Sequence, residues 1–460
     1  MAMITPCSIV RAWCGRAADT ARRRAAVACQ AVGVALLLSL VSVSCQTTPR
    51  ASKEAAGVEP DVRVRIVREA PSVRITGPAQ VAVRTVGSFG EWIAATPLDV
   101  RAEAGVLVAS DAAGIERRFD QGAPLEVRAV AAARARNTPG SRPPPEPDLL
   151  VDNRAYPGSL ELHPRTDAGE GALDAINVTT LEAYLPGVLT GELLDNWPLE
   201  AYRAQAVAAR SYALHERARA RLRARPFDLE NTARNQVFAG RTQHDAAVRA
   251  ARDTRGEALT VGGDVLRAYY SSTCGGRPMG AGSIWPTGPG WEFNAAPPLQ
   301  VDAPRATFCE ASSAFRWQVT RTVEDASRRI AAYGAANGLS IKALGSVRSI
   351  VPLEANAAGR PVQFAITDDK SKTYKLNAEH LRQALNHAAE GLPAPERASQ
   401  VRSGDIEFEM RAREVVIRGR GWGHGVGACQ FCMNGMARRH WDYGRMLAHF
   451  YPGARVERVY

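Results

Sequence analysis

No stretch of the 460-residue chain repeats at a fixed period, which argues against a solenoid or a propeller. There is no His-Glu-x-x-His and no comparable ligand cluster, so the common zinc peptidase or amidase arrangement is missing. Aromatic residues make up only 7% and do not interleave with arginine into an array that would stack on bases. No nucleic-acid partner is therefore expected. Cysteine is scarce: eight residues, of which Cys7, Cys14, Cys29 and Cys45 fall in the first 45. Long apolar runs are scarcer still, with one at residues 25–43.

That run follows Arg22-Arg23-Arg24, carries no charge and ends at Val43-Ser44-Cys45. A positive region, an apolar region and small residues before a cysteine read as a lipoprotein export signal, with Cys45 acylated as the mature N-terminus. Ser42 stands where leucine is usual three residues before that cysteine, which leaves ordinary cleavage or an uncleaved anchor as alternatives. Each of these puts the rest of the chain outside the cytoplasm, in the cell envelope: the periplasm, or the outer membrane as a lipoprotein. The net charge of +11 favours polyanionic neighbours such as wall polymers or lipid head groups, or simply reflects an arginine-rich solvated surface.

Beyond the signal (1–45), residues 46–60 are polar and read as a linker. Residues 61–165 form a β-rich region, because apolar residues alternate with arginine: Val62, Val64 and Ile66 around Arg63 and Arg65, then Val73 and Ile75 around Arg74, then Val81 and Val83. Pro143-Pro144-Pro145 marks a spacer. Residues 166–460 mix helices and strands. A long helix is expected over 199–223, where Ala201, Ala204, Val207, Ala208, Ser211 and Tyr212 make one small-residue face. Asp195 or Asn196 would cap it, and Pro198 suits its first turn. Further helices are expected at 244–252, 323–337, 378–387 and 436–450, with strands at 257–261, 347–353, 362–366 and 406–417. Residues 287–304 read as a surface loop. The fold class is α+β, with mixed, largely antiparallel sheets and packed helices.

Within residues 181–214 one acidic residue, Glu192, occupies an apolar setting, Gly-Glu-Leu-Leu. It is either a solvated loop glutamate or a carboxylate held between a glycine-containing turn and a rigid helix, where catalytic groups work best. Here the sequence resembles the SpoIID/LytB family of sporulation and cell-wall proteins. The matching residues are Leu181-Glu182-x-Tyr184-Leu185-x-Gly187-Val188, Glu192, Trp197-Pro198-Leu199-Glu200-Ala201 and the run from Ala204 to Ala213. A second match, Gly419-Arg420-Gly421-Trp422-Gly423-His424-Gly425-Val426-Gly427, is followed by Gln430 and Gly435-Met436-Ala437. Phe238 stands where the family has tyrosine. Ser271 stands where many members have histidine in a loop that some use for zinc, so a zinc site of that type is not expected.

The resemblance implies an enzyme of a definite kind: a lytic transglycosylase of peptidoglycan glycan strands. Such enzymes cut the MurNAc–GlcNAc bond without water and leave 1,6-anhydro-MurNAc. Glu192 maps onto the single catalytic acid/base, and an apolar setting would raise its pKa as an acid at neutral pH requires. Glu182 and Glu200 are weaker candidates. Gln205 and Arg210 either contact the sugar or bond neighbouring loops. Trp422, His424, Gln430, Tyr270, Ser272 and Thr273 are expected to line the substrate cleft. The competing reading is a non-catalytic wall-binding protein that modulates another wall hydrolase.

Four cysteines remain: Cys274, Cys309, Cys429 and Cys432. An even number in an oxidising compartment reads as two disulfides, Cys274–Cys309 with Cys429–Cys432 being the most local pairing. A single four-cysteine zinc site is the other reading; the first reading needs no cofactor and no metal. The export signal makes its own prediction. Cys45→Ser should release the protein from membranes or leave it as an uncleaved precursor, seen by fractionation and by the mass of the mature chain. Unchanged fractionation and mass would remove the lipid anchor.

Overall fold

The computed structural model describes residues 57–130, 147–166 and 171–460. The export segment, Cys45, most of the linker and the Pro143–Pro145 spacer lie outside the described residues. The remainder is α+β, as expected. A seven-stranded sheet runs in the order Leu229–Glu230, Asp61–Ala70, Ala172–Thr180, Ser159–Arg165, Leu125–Ala129, Gln80–Thr85 and Trp92–Ala95. All its neighbours are antiparallel except the short first strand, which is parallel to Asp61–Ala70. A second, six-stranded sheet holds Ser72–Thr76, Leu98–Glu103 and Val106–Ser110. The alternation read from sequence holds at Val62, Val64, Val73, Ile75, Val81 and Val83, which are buried, and breaks at a register shift where Arg65 is buried and Ile66 only half-buried.

The expected division at residue 165/166 is not where the hydrophobic cores divide. Strand Ala172–Thr180 lies between Asp61–Ala70 and Ser159–Arg165, so the β-rich region and the first helices share one core. That core runs from Val62 to Leu299 and Cys309 and is completed by Val362 and by residues from Val426 to Tyr451. A second core lies within 317–417, between two three-stranded sheets and two helices, with Trp317, Ile330, Phe364, Leu381 and Ile417 among its members.

Seven α-helices lie among the described residues: α1 (Leu181–Glu192), α2 (Leu199–Leu222), α3 (Asp245–Asp253), α4 (Val323–Ala336), α5 (Ala378–Leu385), α6 (Gln430–Ala437) and α7 (Tyr443–Phe450). None is long and apolar enough to cross a membrane. Helix α2 is buried on all sides from Ala204 to Ala213, not on one face alone. Small side chains make that possible, since strands and helices approach its backbone from several directions. Ser211 ties it in: its hydroxyl donates to the Val207 carbonyl at 2.6 Å and accepts from Leu259 N at 2.8 Å.

Three local expectations are corrected. Leu181–Glu192 is a helix, although Pro186, Gly187 and Gly191 each disfavour one, so Glu192 ends a helix and not a loop or glycine-containing turn. Thr180 caps it, and burial of Tyr184, Leu185, Val188 and Leu189 outweighs the propensity cost. Neither Asp195 nor Asn196 caps α2; Pro198 is its N-cap and makes no side-chain bond there. The last expected helix is two, because His440 turns the chain at φ 60° and Asp442 caps α7 through Arg445 N at 2.7 Å.

The glycines of α1 are a steric requirement. A Cβ on Gly187 would meet the Gly240 carbonyl oxygen at 2.1 Å and Phe238 Cε2 at 2.6 Å. Gly187→Ala should therefore lower stability by roughly 1–3 kcal/mol, the usual cost of overpacking. Gly90→Ala, with nothing within 4 Å of the added carbon, should stay within about 0.5 kcal/mol of wild type. Urea denaturation of both variants checks this.

Candidate functional site

Glu192 is the last residue of α1, at the end where unpaired carbonyls make the helix partly negative. Its carboxylate accepts one bond at each oxygen: Val237 N donates to Oε1 at 3.0 Å and Gln430 Nε2 donates to Oε2 at 3.1 Å. Among the described residues no arginine, lysine or histidine forms an ion pair with it. Its side chain keeps some solvent access, yet protein surrounds it closely. Burial pushes its pKa up, and the bonds from Val237 and Gln430 offset only part of that rise.

The surroundings follow from close backbone packing. A Cβ on Gly191 would meet the Val237 carbonyl oxygen at 2.5 Å, so only glycine lets segment 236–240 lie this close to α1. Ala239 N donates to the Gly187 carbonyl at 3.0 Å, and Asn231 Oδ1 accepts from Phe238 N at 2.7 Å. Gln236 then joins two phenols: the Tyr184 hydroxyl donates to its Oε1 at 3.1 Å, and its Nε2 donates to Tyr270 at 3.0 Å. Both phenols are held neutral, by burial first and then by the nearby Glu192 charge. Gln236, Val237 and Tyr184 were not among the expected site residues. Gly187 and Gly191 in a helical stretch were the available signal that another backbone packs there.

The other glutamates are committed elsewhere. Glu182 makes a two-pronged ion pair with Arg210, Nε to Oε1 and Nη2 to Oε2, both 2.9 Å. It also accepts from Gly256 N and from the Tyr460 hydroxyl. Glu200 pairs with Arg203 and accepts from Tyr443 N. Arg210 is fully buried and spends its remaining donors on Thr254 and on the Glu257 and Ala251 carbonyls. Of its two possible roles, the structure displays the bonding of neighbouring loops. Gln205 is also fully buried, and neither atom of its amide has a partner among the described residues. A glycan would reach it only by displacing its neighbours.

The two glycine- and serine-rich stretches meet. Tyr270–Ser271 pairs in parallel with Ala428–Cys429, and Thr273 exchanges two backbone bonds with Trp422, at 3.1 and 2.8 Å. Phe431 N donates to the Ser272 carbonyl at 3.0 Å, which places Gln430 beside the Tyr270–Thr273 stretch. The Thr273 hydroxyl is 2.9 Å from that of Ser312, inside the protein. Arg397 and Arg402 lie over the half-exposed Trp422 ring, at 4.9 and 5.3 Å from its centre. His424 makes no bond to Glu192 and does not orient it. It packs edge-on to Trp285, accepts from Val426 N at 3.0 Å and bonds the Tyr270 backbone. Burial pushes its pKa down to about 4, so it is a neutral brace for the Tyr270 strand. Of the expected cleft residues, Gln430 touches Glu192 directly and Tyr270 reaches the same bonded cluster through Gln236.

The expected disulfides are not the arrangement found. Cys274, Cys309, Cys429 and Cys432 are free thiols. Cys274 Sγ is 3.8 Å from both Cys309 Sγ and Cys432 Sγ, far beyond the S–S bond of about 2.05 Å.

Fold and site together define an α+β protein built around one helix-terminal glutamate that is half-buried, unpaired with any cation among the described residues, and held by an amide and a backbone N–H. The Stage II sporulation protein (SpoIID) family model matches residues 169–261, which contain Glu192 and Val237. A domain of unknown function matches residues 303–427, the span that holds the second core. An uncharacterized protein of Brachyspira hyodysenteriae is 28% identical over 302 residues, 65% of this chain and 72% of that one. The Amidase enhancer of Bacillus subtilis is 24% identical over 308 residues, 59% of this chain but 40% of its own length. Stage II sporulation protein D of Bacillus amyloliquefaciens is 24% identical over 290 residues, 60% of this chain and 74% of its own. The chain is thus similar to the SpoIID family over residues 169–261 and to Stage II sporulation protein D over 60% of its length.

The raised pKa of Glu192 has a stability consequence. The folded carboxyl holds its proton more tightly than the unfolded one, so stability falls as pH rises from the ordinary glutamate value through the raised value. Glu192→Gln removes that penalty. Its melting temperature should exceed that of wild type at pH 7, and the difference should vanish below about pH 4, where both states of the wild type are protonated. Thermal unfolding at several pH values checks it; a Gln variant less stable at pH 7 would contradict it.

Proposed function

We propose that the protein is an extracytoplasmic peptidoglycan lytic transglycosylase with Glu192 as its single acid/base. The observation that carries this reading is the state of Glu192. It is the glutamate of this site left without a cation, its proton affinity is raised by burial, and it keeps solvent access. Glu182 and Glu200 are each tied to an arginine instead. A cell-wall role also agrees with the sporulation and amidase-enhancer names of the relatives. The proposed partners are glycan strands, and a membrane through the N-terminal segment.

The chemistry needs one carboxyl group used twice. Protonated Glu192 gives its proton to the oxygen linking MurNAc C1 to GlcNAc C4. The C1–O bond breaks, GlcNAc leaves with its hydroxyl, and positive charge develops at C1 and the ring oxygen. Glu192, now a carboxylate, takes the proton from the C6 hydroxyl of the same MurNAc as O6 bonds to C1. The product is the 1,6-anhydro sugar, no water is consumed, and the acid is restored. A glycosidase that manages water or a covalent intermediate uses two carboxylates, and among the described residues no second free carboxylate bonds into the cluster around Glu192. Val237 N and Gln430 would hold the carboxylate stage, while burial favours the acid stage.

Glu192→Gln keeps size and hydrogen bonding but has no proton to give. Turnover of purified glycan strands should fall by roughly 10²–10⁴-fold or more, with glycan binding retained. Mass spectrometry of wild-type products, from intact and from peptide-stripped glycan, should show 1,6-anhydro-MurNAc ends. Reducing MurNAc ends would mean hydrolysis, and full activity in the Gln variant would sink the assignment.

A further inference from the structure

We propose that Cys274, Cys309, Cys429 and Cys432 bind one zinc ion through four thiolates, as a closed structural site. The four sulfurs come from three separate stretches of chain and lie within 4.8 Å of one another. Sulfurs at the corners of a tetrahedron around zinc, with bonds of about 2.3 Å, stand about 3.8 Å apart. That is the spacing from Cys274 to Cys309 and from Cys274 to Cys432, 3.8 Å in each case. An iron–sulfur cluster would need room between the thiolates for several irons and sulfides, and this spacing leaves room for one ion. Four soft donors with no carboxylate or open position suit structural zinc better than a catalytic metal.

The local backbone is arranged for thiolates. Cys429 and Cys432 form a Cys-x-x-Cys pair across the start of α6, and Cys429 caps that helix. Cys274 N and Cys432 N both point at Cys429 Sγ, at 3.2 and 3.4 Å. Such N–H bonds stabilise a charged sulfur. Cys309, Cys429 and Cys432 are buried and Cys274 is half-buried, which shields the ion from competing ligands. Arg305 lines the small cavity bordered by Cys274, Cys429 and Cys432, and its positive charge offsets the net negative charge of a four-thiolate site. The ligand set does not use the position of Ser271, so the site does not depend on a histidine in that loop.

The ion would clamp three pieces of structure: the Tyr270–Thr273 stretch, the chain entering the second core, and the first turn of α6. Gln430, which donates to Glu192, stands between two of the ligands. Zinc would thus fix the position of Gln430 without touching the reacting atoms. The proposal does not rest on the glycan-cleaving reading, because metal content is measured without substrate.

The test uses the full chain, purified without chelator. Elemental analysis should give one zinc per chain. Peptide mapping after alkylation of the denatured, unreduced protein should find all four cysteines alkylated. A mercurial reagent added to the folded protein should release the zinc, seen with a metal-sensitive dye. Cys309→Ser should retain zinc against a competing chelator about tenfold less well, or worse. If that variant does not fold, cobalt substitution of the wild type replaces it: intense absorption of tetrahedral cobalt with thiolate ligands is expected. Two disulfides with no metal, iron in place of zinc, or zinc retained equally by Cys309→Ser would each overturn the proposal.

Discussion

The contact between two backbones at Gly187 and Gly191 governs the site. With hydrogen in place of Cβ, segment 236–240 lies directly on α1, and Val237 N reaches Glu192 at 3.0 Å. Any larger side chain at either position would meet that segment's backbone oxygens and push it away. Gln236 would then lose its hold on Tyr184 and Tyr270, and Glu192 would gain water. The raised proton affinity of the carboxyl thus rests on a packing constraint and not on a neighbouring charge. Two glycines in a helix are costly on propensity alone, and the buried face of α1 offsets that cost.

Helix α2 supplies the rigid support. Alanine and serine let other elements approach it from every side between Ala204 and Ala213. Arg210, from the same helix, binds Glu182 at the start of α1. The two ends of α1 therefore have opposite electrostatics. Glu182 is neutralised by a guanidinium and accepts a backbone N–H besides. Glu192, ten residues on, has neutral donors alone among the described residues.

The second core stands between the two stretches that meet beside Glu192. Its chain leaves after Cys309 through Arg316–Thr322 and returns through Ile406–Met410 and Glu414–Arg420, and these three strands form one antiparallel sheet. The return places Trp422 on Thr273 and Ala428–Cys429 on Tyr270–Ser271. More than a hundred residues of independently packed structure are thereby accommodated without separating the two stretches. The four cysteines gather at this junction.

How much could be read beforehand depended on whether the signal was local. Alternation of valine with arginine marks strands because side chains project to opposite faces every residue, and those strands are present. The long alanine-rich run is a helix, and Glu192 stands out as an acid in an apolar setting. Position 181–192 misled, since Pro186 and two glycines argue locally against a helix that burial stabilises from outside. Glu182, Glu192 and Glu200 look alike as letters; which one lacks a cation was decided by Arg210 and Arg203 reaching two of them. The partners of Glu192 sit 45 and 238 residues away, Val237 and Gln430. The cysteines showed an even number and a Cys-x-x-Cys, but whether they pair or gather depends on distances between three remote segments. Sequence alone determined the strands, the central helix and the chemical type of the acid, because those follow from side-chain period and composition. Tertiary structure alone decided which carboxylate stays unpaired and which sulfurs meet, because charge pairing and metal geometry are properties of distance in space.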